Sequence, residues 1–276
     1  MKIALIQPKQ NRLYDFDHPW HISAASAHTL AQDMVEQTFS LMEKSSDVDL
    51  IVTTEAVNFP GQETWADSHY KDLIDESILI QRFSDFSKRK ECWVVASLYA
   101  HRSHGVVNEA VVFDRQGNQR AVYEKIHLAG EEQASLIPGS QYCIVDTDFG
   151  RMGVCICWDM QFPEVCRHYA LMGCQLVVCP TWGWESIYAA SRAYENGIWV
   201  AGAMSVPYDG EITGIRTPSQ VIAPDGSVRA CGSRERAGSV LCEFDLQELR
   251  SLHAMRMHDR RPDTYGLLVE QVRQDE

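Results

Sequence analysis

Short apolar runs alternate with longer segments of helical period, and this constrains the fold more than any other feature. Residues 2–7, 49–55, 92–99, 152–157, 176–180 and 198–206 are each of strand length and rich in Val, Ile, Leu, Ala and Cys. Between them, residues 23–43 place Leu30, Met34, Leu41 and Met42 at helical spacing in an Ala-rich, Pro-free stretch. Residues 75–90 repeat the pattern with Ile78, Leu79, Phe83 and Phe86. Further helices are expected at 162–173, 185–196 and 246–256. Two hairpins are expected as well. One runs Val106–Asp114, turns at Gln116-Gly117-Asn118 and returns along Arg120–Lys125; the other joins Tyr142–Thr147 to Met152–Cys157 through Asp148-Phe149-Gly150. Gln220–Ala223 and Ser239–Phe244, with a turn at Pro224-Asp225-Gly226-Ser227, complete the strands. No linker, repeat or low-complexity segment interrupts the series. Strand–helix alternation mixed with hairpins predicts an α/β sandwich in a single domain over 1–276, ending in a short polar tail.

Composition narrows the partners. A chain of 276 residues that is 45% hydrophobic and 23% charged is ordinary for a soluble globular protein. Its formal charge of −13 disfavours phosphate backbones and anionic membranes, so neither nucleic acid nor membrane is an expected partner. No stretch approaches the roughly 18 apolar residues of a membrane span, and Met1–Pro8 turns polar too soon for a signal peptide. A cytoplasmic location is therefore expected. Nine cysteines in such a context read as reduced, mostly buried thiols. Cys155-Ile156-Cys157 has the wrong spacing for a zinc knuckle, and Cys174 and Cys179 lack a nearby His pair, so no metal is expected. The irregular His18, His21, His101 and His104 are assigned to surface loops, and Leu252, Met255 and Met257 to packing.

Three polar residues stand where apolar runs end. Cys157 closes Met152–Ile156 and is followed by Trp158-Asp159 and a helix beginning near Phe162-Pro163-Glu164. Glu55 closes Asp49–Thr54 and precedes Ala56-Val57-Asn58-Phe59-Pro60-Gly61, and Lys125 closes Arg120–Glu124 and precedes Ile126-His127-Leu128. A thiol at a strand-to-helix junction suits a nucleophile, because free backbone N–H groups and the helix dipole lower thiol pKa and can hold an oxyanion. Taken singly, each residue has a plain alternative: a structural thiol, a solvated strand end, a surface lysine. Taken together, in this order and at these separations, Glu55, Lys125 and Cys157 resemble the catalytic triad of the nitrilase superfamily of carbon–nitrogen hydrolases.

That resemblance implies a four-layer α-β-β-α sandwich, commonly dimerised. It also implies a mechanism without a cofactor: Cys157 attacks, Glu55 moves the proton, and Lys125 with the Trp158 N–H holds the oxyanion. It further implies a second carboxylate in the loop before Pro138-Gly139, either Glu131 or Glu132, with the family spacing favouring Glu132. Trp182 and Trp184 fall where relatives place pocket residues, and they read equally well as core packing. Arg192 and Glu195 read as a supporting i,i+3 ion pair. The expected substrate is a small amide or N-carbamoyl amine, neutral or cationic, cleaved through a thioester. Arg192 or Arg216 is available to recruit a substrate carboxylate instead. Nitrile hydrolysis and a non-catalytic binding or scaffold protein of the same fold are the competing readings.

Overall fold

The structure, a computed structural model, describes residues 1–14, 23–45, 47–59, 75–130, 132–208 and 216–270. His18, His21, Pro60, Gly61 and Glu131 lie outside them. Chain order is β1 (Lys2–Gln7), α1 (Ala24–Glu43), β2 (Leu50–Val52), α2 (Glu76–Lys90), β3 (Trp93–Arg102), β4 (Gly105–Phe113), β5 (Gln119–Glu124) and α3 (Glu132–Ser135). Then come β6 (Cys143–Asp146), β7 (Arg151–Val154), a 3₁₀ turn (Cys157–Gln161), α4 (Pro163–Leu171), β8 (Leu176–Thr181), α5 (Ser186–Asn196) and β9 (Trp199–Met204). Strands β10 (Gln220–Ile222), β11 (Val228–Cys231), β12 (Gly238–Glu243) and helix α6 (Arg250–His258) follow. The strands form two six-stranded sheets, ordered β12-β1-β2-β3-β4-β5 and β11-β10-β9-β8-β7-β6.

Alternation along the strands explains the layering. Ile3, Leu5, Val52, Val95 and Val112 of the first sheet share one buried core with Met152, Val154, Leu176 and Val178 of the second. Ala4, Ile6, Ile51, Val94 and Val111 point the other way, onto Val35, Phe39 and Met42 of α1 and Leu79, Phe83 and Phe86 of α2. On the far side, α4 and α5 bury Cys166, Tyr169, Ala189 and Ala193 against the second sheet. The central strands are thus covered on both faces, which is why they read as unbroken apolar runs. The four-layer α-β-β-α expectation holds.

Local chemistry sets the helix ends. Ser23 and Asp75 cap α1 and α2 through side-chain acceptors for Ser26 N and Ser77 N. Gly197 ends α5 at φ 62°, and a Cβ there would lie 2.5 Å from His253 N, so the left-handed turn and the docking of α6 both demand glycine. Some boundaries differ from the sequence reading. The β2 and β7 ladders stop at Val52 and Val154, short of Glu55 and Cys157. Strand β11 is additional to the expected strands, because its mostly exposed Val228–Cys231 carries no apolar alternation. Helix α6 starts at Arg250 rather than near Leu246, after Leu249 adopts φ 59°, and Met255 is exposed instead of packed. His101 belongs to β3 rather than to a loop.

Candidate active site

Glu55 lies three residues beyond the β2 ladder, on a segment still pinned to β3. Thr53 N donates to Val95 O at 3.0 Å and Val57 N to Ser97 O at 2.9 Å. Asn58 exchanges two hydrogen bonds with the Tyr99 backbone, at 2.9 and 2.8 Å. Between them Ala56 takes φ 43°, and its N–H donates to Ser97 Oγ at 3.1 Å. Cys157 has a matching conformation, φ 44°, at the start of the 3₁₀ turn. Left-handed backbone at a non-glycine residue is strained and persists only when its surroundings over-determine it. Here it occurs next to Glu55 and at Cys157 itself, two of the three predicted catalytic residues.

Lys125 follows β5, held by its N–H to Asn108 O at 2.8 Å and by its own carbonyl, which accepts from Gly139 N at 2.9 Å. Its ammonium donates to Glu55 Oε1 at 2.8 Å and to Glu132 Oε2 at 2.7 Å, and the side chains of Lys125 and Glu55 are 2% and 1% exposed. Among the described residues, which do not include Glu131, Glu132 is the second carboxylate on the lysine. Asn108 of β4, which sequence reasoning missed, donates to both acids, at 2.8 Å to Glu55 and 3.1 Å to Glu132. It keeps two like charges at a fixed separation around one cation. Trp182 sits at the end of β8, donating its backbone N–H to Glu55 Oε2 at 3.0 Å and its indole N–H to Glu55 O at 2.8 Å. Its ring packs against Tyr14 and Phe59. Trp184 is fully buried against Gly202 and is a core residue, which resolves that alternative.

The chain matches the carbon–nitrogen hydrolase family over residues 2–254. It belongs to that family. The probable nitrilase C965.09 of Schizosaccharomyces pombe is 34% identical over 178 residues, covering 61% of this chain and 65% of that protein. The omega-amidase NIT2 of Homo sapiens is 29% identical over 238 residues, covering 79% and 85%. In fold, the chain is similar to the NitN amidase of Nesterenkonia sp. AN1, with a TM-score of 0.71 at 24% identity over 96% of this chain and 98% of that one. It is likewise similar to a carbon–nitrogen hydrolase from Helicobacter pylori G27, with a TM-score of 0.75 at 22% identity and 98% coverage of both. This carbon–nitrogen hydrolase is thus placed among enzymes that act on carbon–nitrogen bonds other than peptide bonds.

The electrostatics of the site follow from two acids sharing one base. Burial would lower the Lys125 pKa, but Glu55, Cys157 and Glu132 outweigh it and hold the ammonium protonated. Burial raises the Glu55 pKa; Lys125 opposes that shift and Glu132 adds to it. The Cys157 thiol is pushed up to about 12 by burial and then by the Glu55 charge, against the pull of Lys125. The expectation that a helix start would depress this thiol is corrected: the 3₁₀ turn is short, and desolvation beside a carboxylate dominates.

The turn that carries Cys157 is held at both ends. Asp159, fully buried, accepts from Ile156 N at 2.9 Å and Tyr123 OH at 2.7 Å. It also accepts from His127 N at 3.0 Å and lies 2.8 Å from His127 Nδ1. Arg192 donates to Met160 O at 3.2 Å and Gln161 O at 2.9 Å, and pairs with Glu195 at 3.2 Å, the supporting ion pair that the sequence suggested. Among the described residues the Trp158 N–H has no acceptor, while its ring is 41% exposed. Arg216 is exposed, and the sequence-level choice between it and Arg192 as a carboxylate recruiter loses Arg192, which is committed to backbone carbonyls. No group of three or more His, Cys, Asp or Glu among the described residues is arranged to hold a metal.

Proposed function

We propose that the enzyme hydrolyses the C–N bond of a small amide or N-carbamoyl amine through a thioester on Cys157. The observation that carries this reading is the buried Lys125 ammonium bridging Glu55 and Glu132, beside a thiol on a strained turn. Glu55 takes the Cys157 proton as sulfur attacks the carbonyl carbon, because a protonated thiol needs a base at the moment of attack. Two of the three ammonium hydrogens of Lys125 are used by Glu55 and Glu132, which leaves one for the oxyanion. The Trp158 N–H, without an acceptor among the described residues, is the second donor. Collapse of the tetrahedral intermediate breaks the C–N bond, and Glu55 returns the proton to the departing ammonia or amine. Glu55 then deprotonates water to cleave the thioester. Glu132 and Asn108 keep Lys125 and Glu55 in place, and Trp182 fixes the Glu55 carboxylate from the opposite sheet.

The substrate class is supported by the names of the relatives, an omega-amidase among them, and by an amidase of the same fold solved in complex with butyramide. The −13 charge favours neutral or cationic molecules over polyanions. The test is ammonia release from a panel of butyramide, a dicarboxylate monoamide, an N-carbamoyl amine and butyronitrile. Turnover of amides or carbamoyl amines that Cys157→Ser abolishes is expected. Activity confined to the nitrile, or retained by Cys157→Ser, would overturn the reading. We further propose that the protein acts in the cytoplasm and self-associates, and that residues 1–276 form one catalytic unit.

A further inference from the structure

We propose that Asp159 is a positioning residue of the reaction, its buried carboxylate locking the Cys157 turn to the strand end that carries Lys125. The proposal rests on the reading of Cys157 as nucleophile and of the Trp158 N–H as oxyanion donor. Asp159 receives hydrogen bonds from residues on both sides of the site. Tyr123 OH at 2.7 Å and His127 N at 3.0 Å come from positions two before and two after Lys125, so the carboxylate brackets that residue. Ile156 N, at 2.9 Å, comes from the residue immediately before Cys157. One oxygen, Oδ2, takes both Tyr123 OH and Ile156 N, and the other takes both His127 N and the ring nitrogen Nδ1, 2.8 Å away.

The ring stacking of His127 on Phe162 also crosses this gap, but past the end of the turn rather than beside Cys157. Arg192 grips the far end of the same turn, at Met160 and Gln161, without touching the Lys125 segment. The Trp158 N–H, which has no acceptor among the described residues, is aimed only by the turn it belongs to. Cys157 is held at φ 44°, a conformation that relaxes when its restraint is removed. A carboxylate is the group this place requires, because all its partners present N–H or O–H and an acceptor with two oxygens satisfies them together. His127 is fixed in turn by stacking on Phe162, ring centroids 4.1 Å apart. The clamp sets the distance between the sulfur and its oxyanion donors, and its loss is felt in the transition state more than in the ground state.

Asp159→Asn keeps the shape and turns one acceptor into a donor facing N–H groups. The measurement is kcat and KM on the primary amide turned over fastest in the panel, with the inhibition constant of the corresponding aldehyde. The aldehyde adds the Cys157 sulfur to its carbonyl carbon, and the resulting oxygen takes the oxyanion's place. We expect Asp159→Asn to lower kcat about 10²-fold and to weaken the aldehyde by a similar factor, with KM changed less than about threefold. Tyr123→Phe, which removes one bond and keeps the ring, should show the same split at about tenfold. A folded Asp159→Asn with wild-type kcat, or with lowered kcat and undiminished aldehyde affinity, overturns the proposal. Should Asp159→Asn fail to fold, Tyr123→Phe and His127→Gln decide: wild-type kcat and aldehyde affinity in both overturn it. A wild-type enzyme that turns over nothing on the panel, or Cys157→Ser that keeps its rate, removes the underlying reading and this proposal with it.

Discussion

Asn108 shows how a neutral residue governs charged ones. Its amide donates to Glu55 and Glu132, so Asn108→Ala leaves two buried carboxylates without that shared donor. Losing hydrogen bonds to charged groups costs about 2–3 kcal/mol, and this variant should lose that stability in denaturant titration along with most of its turnover. Near-wild-type stability would show that the amide is dispensable. For Cys157, the position of the thiol near 12 fixes the sign of its pH response. The thiolate fraction of the free enzyme rises throughout pH 7 to 10, so iodoacetamide alkylation should accelerate over that whole range. A plateau near neutrality would instead reveal a depressed thiol pKa. Glu55, Lys125 and Cys157 were legible in the sequence because they stand where apolar runs stop, whereas Glu132 came only from the family spacing before Pro138-Gly139, with Glu131 as its alternative. Asn108 and Asp159 were not legible, since an Asn inside a strand and an Asp in a turn have no periodic signature, and their partners are distant in sequence.

Elements show the same division between what pattern reveals and what packing decides. Strands buried on both faces were readable from apolar runs, whereas the exposed β11 and the four-residue α3 were invisible because too few side chains report on them. The ladders end before Glu55 and Cys157 for a related reason. The buried runs continue to Thr54 and Ile156, past the last ladder residues, while single backbone bonds such as Thr53 N to Val95 O and Cys155 N to Val178 O still tie the chain to the sheets as it turns to present the polar groups. Close contacts between elements carry their own test. A Cβ on Gly202 of β9 would lie 2.4 Å from the Trp184 ring, so Gly202→Ala should destabilise by roughly 2 kcal/mol through overpacking. Gly238→Ala, with open space around its Cβ position, is the matched control and should change stability little. Thermal melts of the two variants side by side check this; equal midpoints would contradict the packing argument.

At the scale of the whole molecule, the second outer layer carries apolar groups on its solvent side: Ile187, 73% exposed, with Tyr194 on α5, Leu171 and Met172 at the end of α4, and Met255 on α6. A face of this kind favours self-association, and light scattering should give a mass of twice the chain or more; a monomer at all concentrations would refute it. The interior sets an alkaline limit. Burial pushes Cys92 up to about 11, and Cys143, Cys157 and Cys174 each up to about 12, from an ordinary value near 9. A thiol whose folded pKa is raised keeps its stabilising effect below pH 9 and loses it as pH climbs towards the folded value, because the unfolded chain releases the proton first. Each such thiol removes on the order of 1 kcal/mol per pH unit, so melting temperatures under reducing conditions should fall steeply between pH 9 and 11. A flat profile would show that these thiols ionise in the folded state. The two sheets also divide the chemistry between them: Glu55, Asn108 and Lys125 stand on or beside the first, Cys157 and Trp182 beside the second, and the chain passes between sheets after Lys125. Cutting the chain in that passage, near Pro138, would yield two halves that each lack part of the site yet share the β1–β12 pairing, with Lys2 opposite Glu243. On the proposed mechanism neither half alone would turn over substrate. Mixed, they would recover activity only as fast as the pieces find each other, so the enzyme would report on its own reassembly.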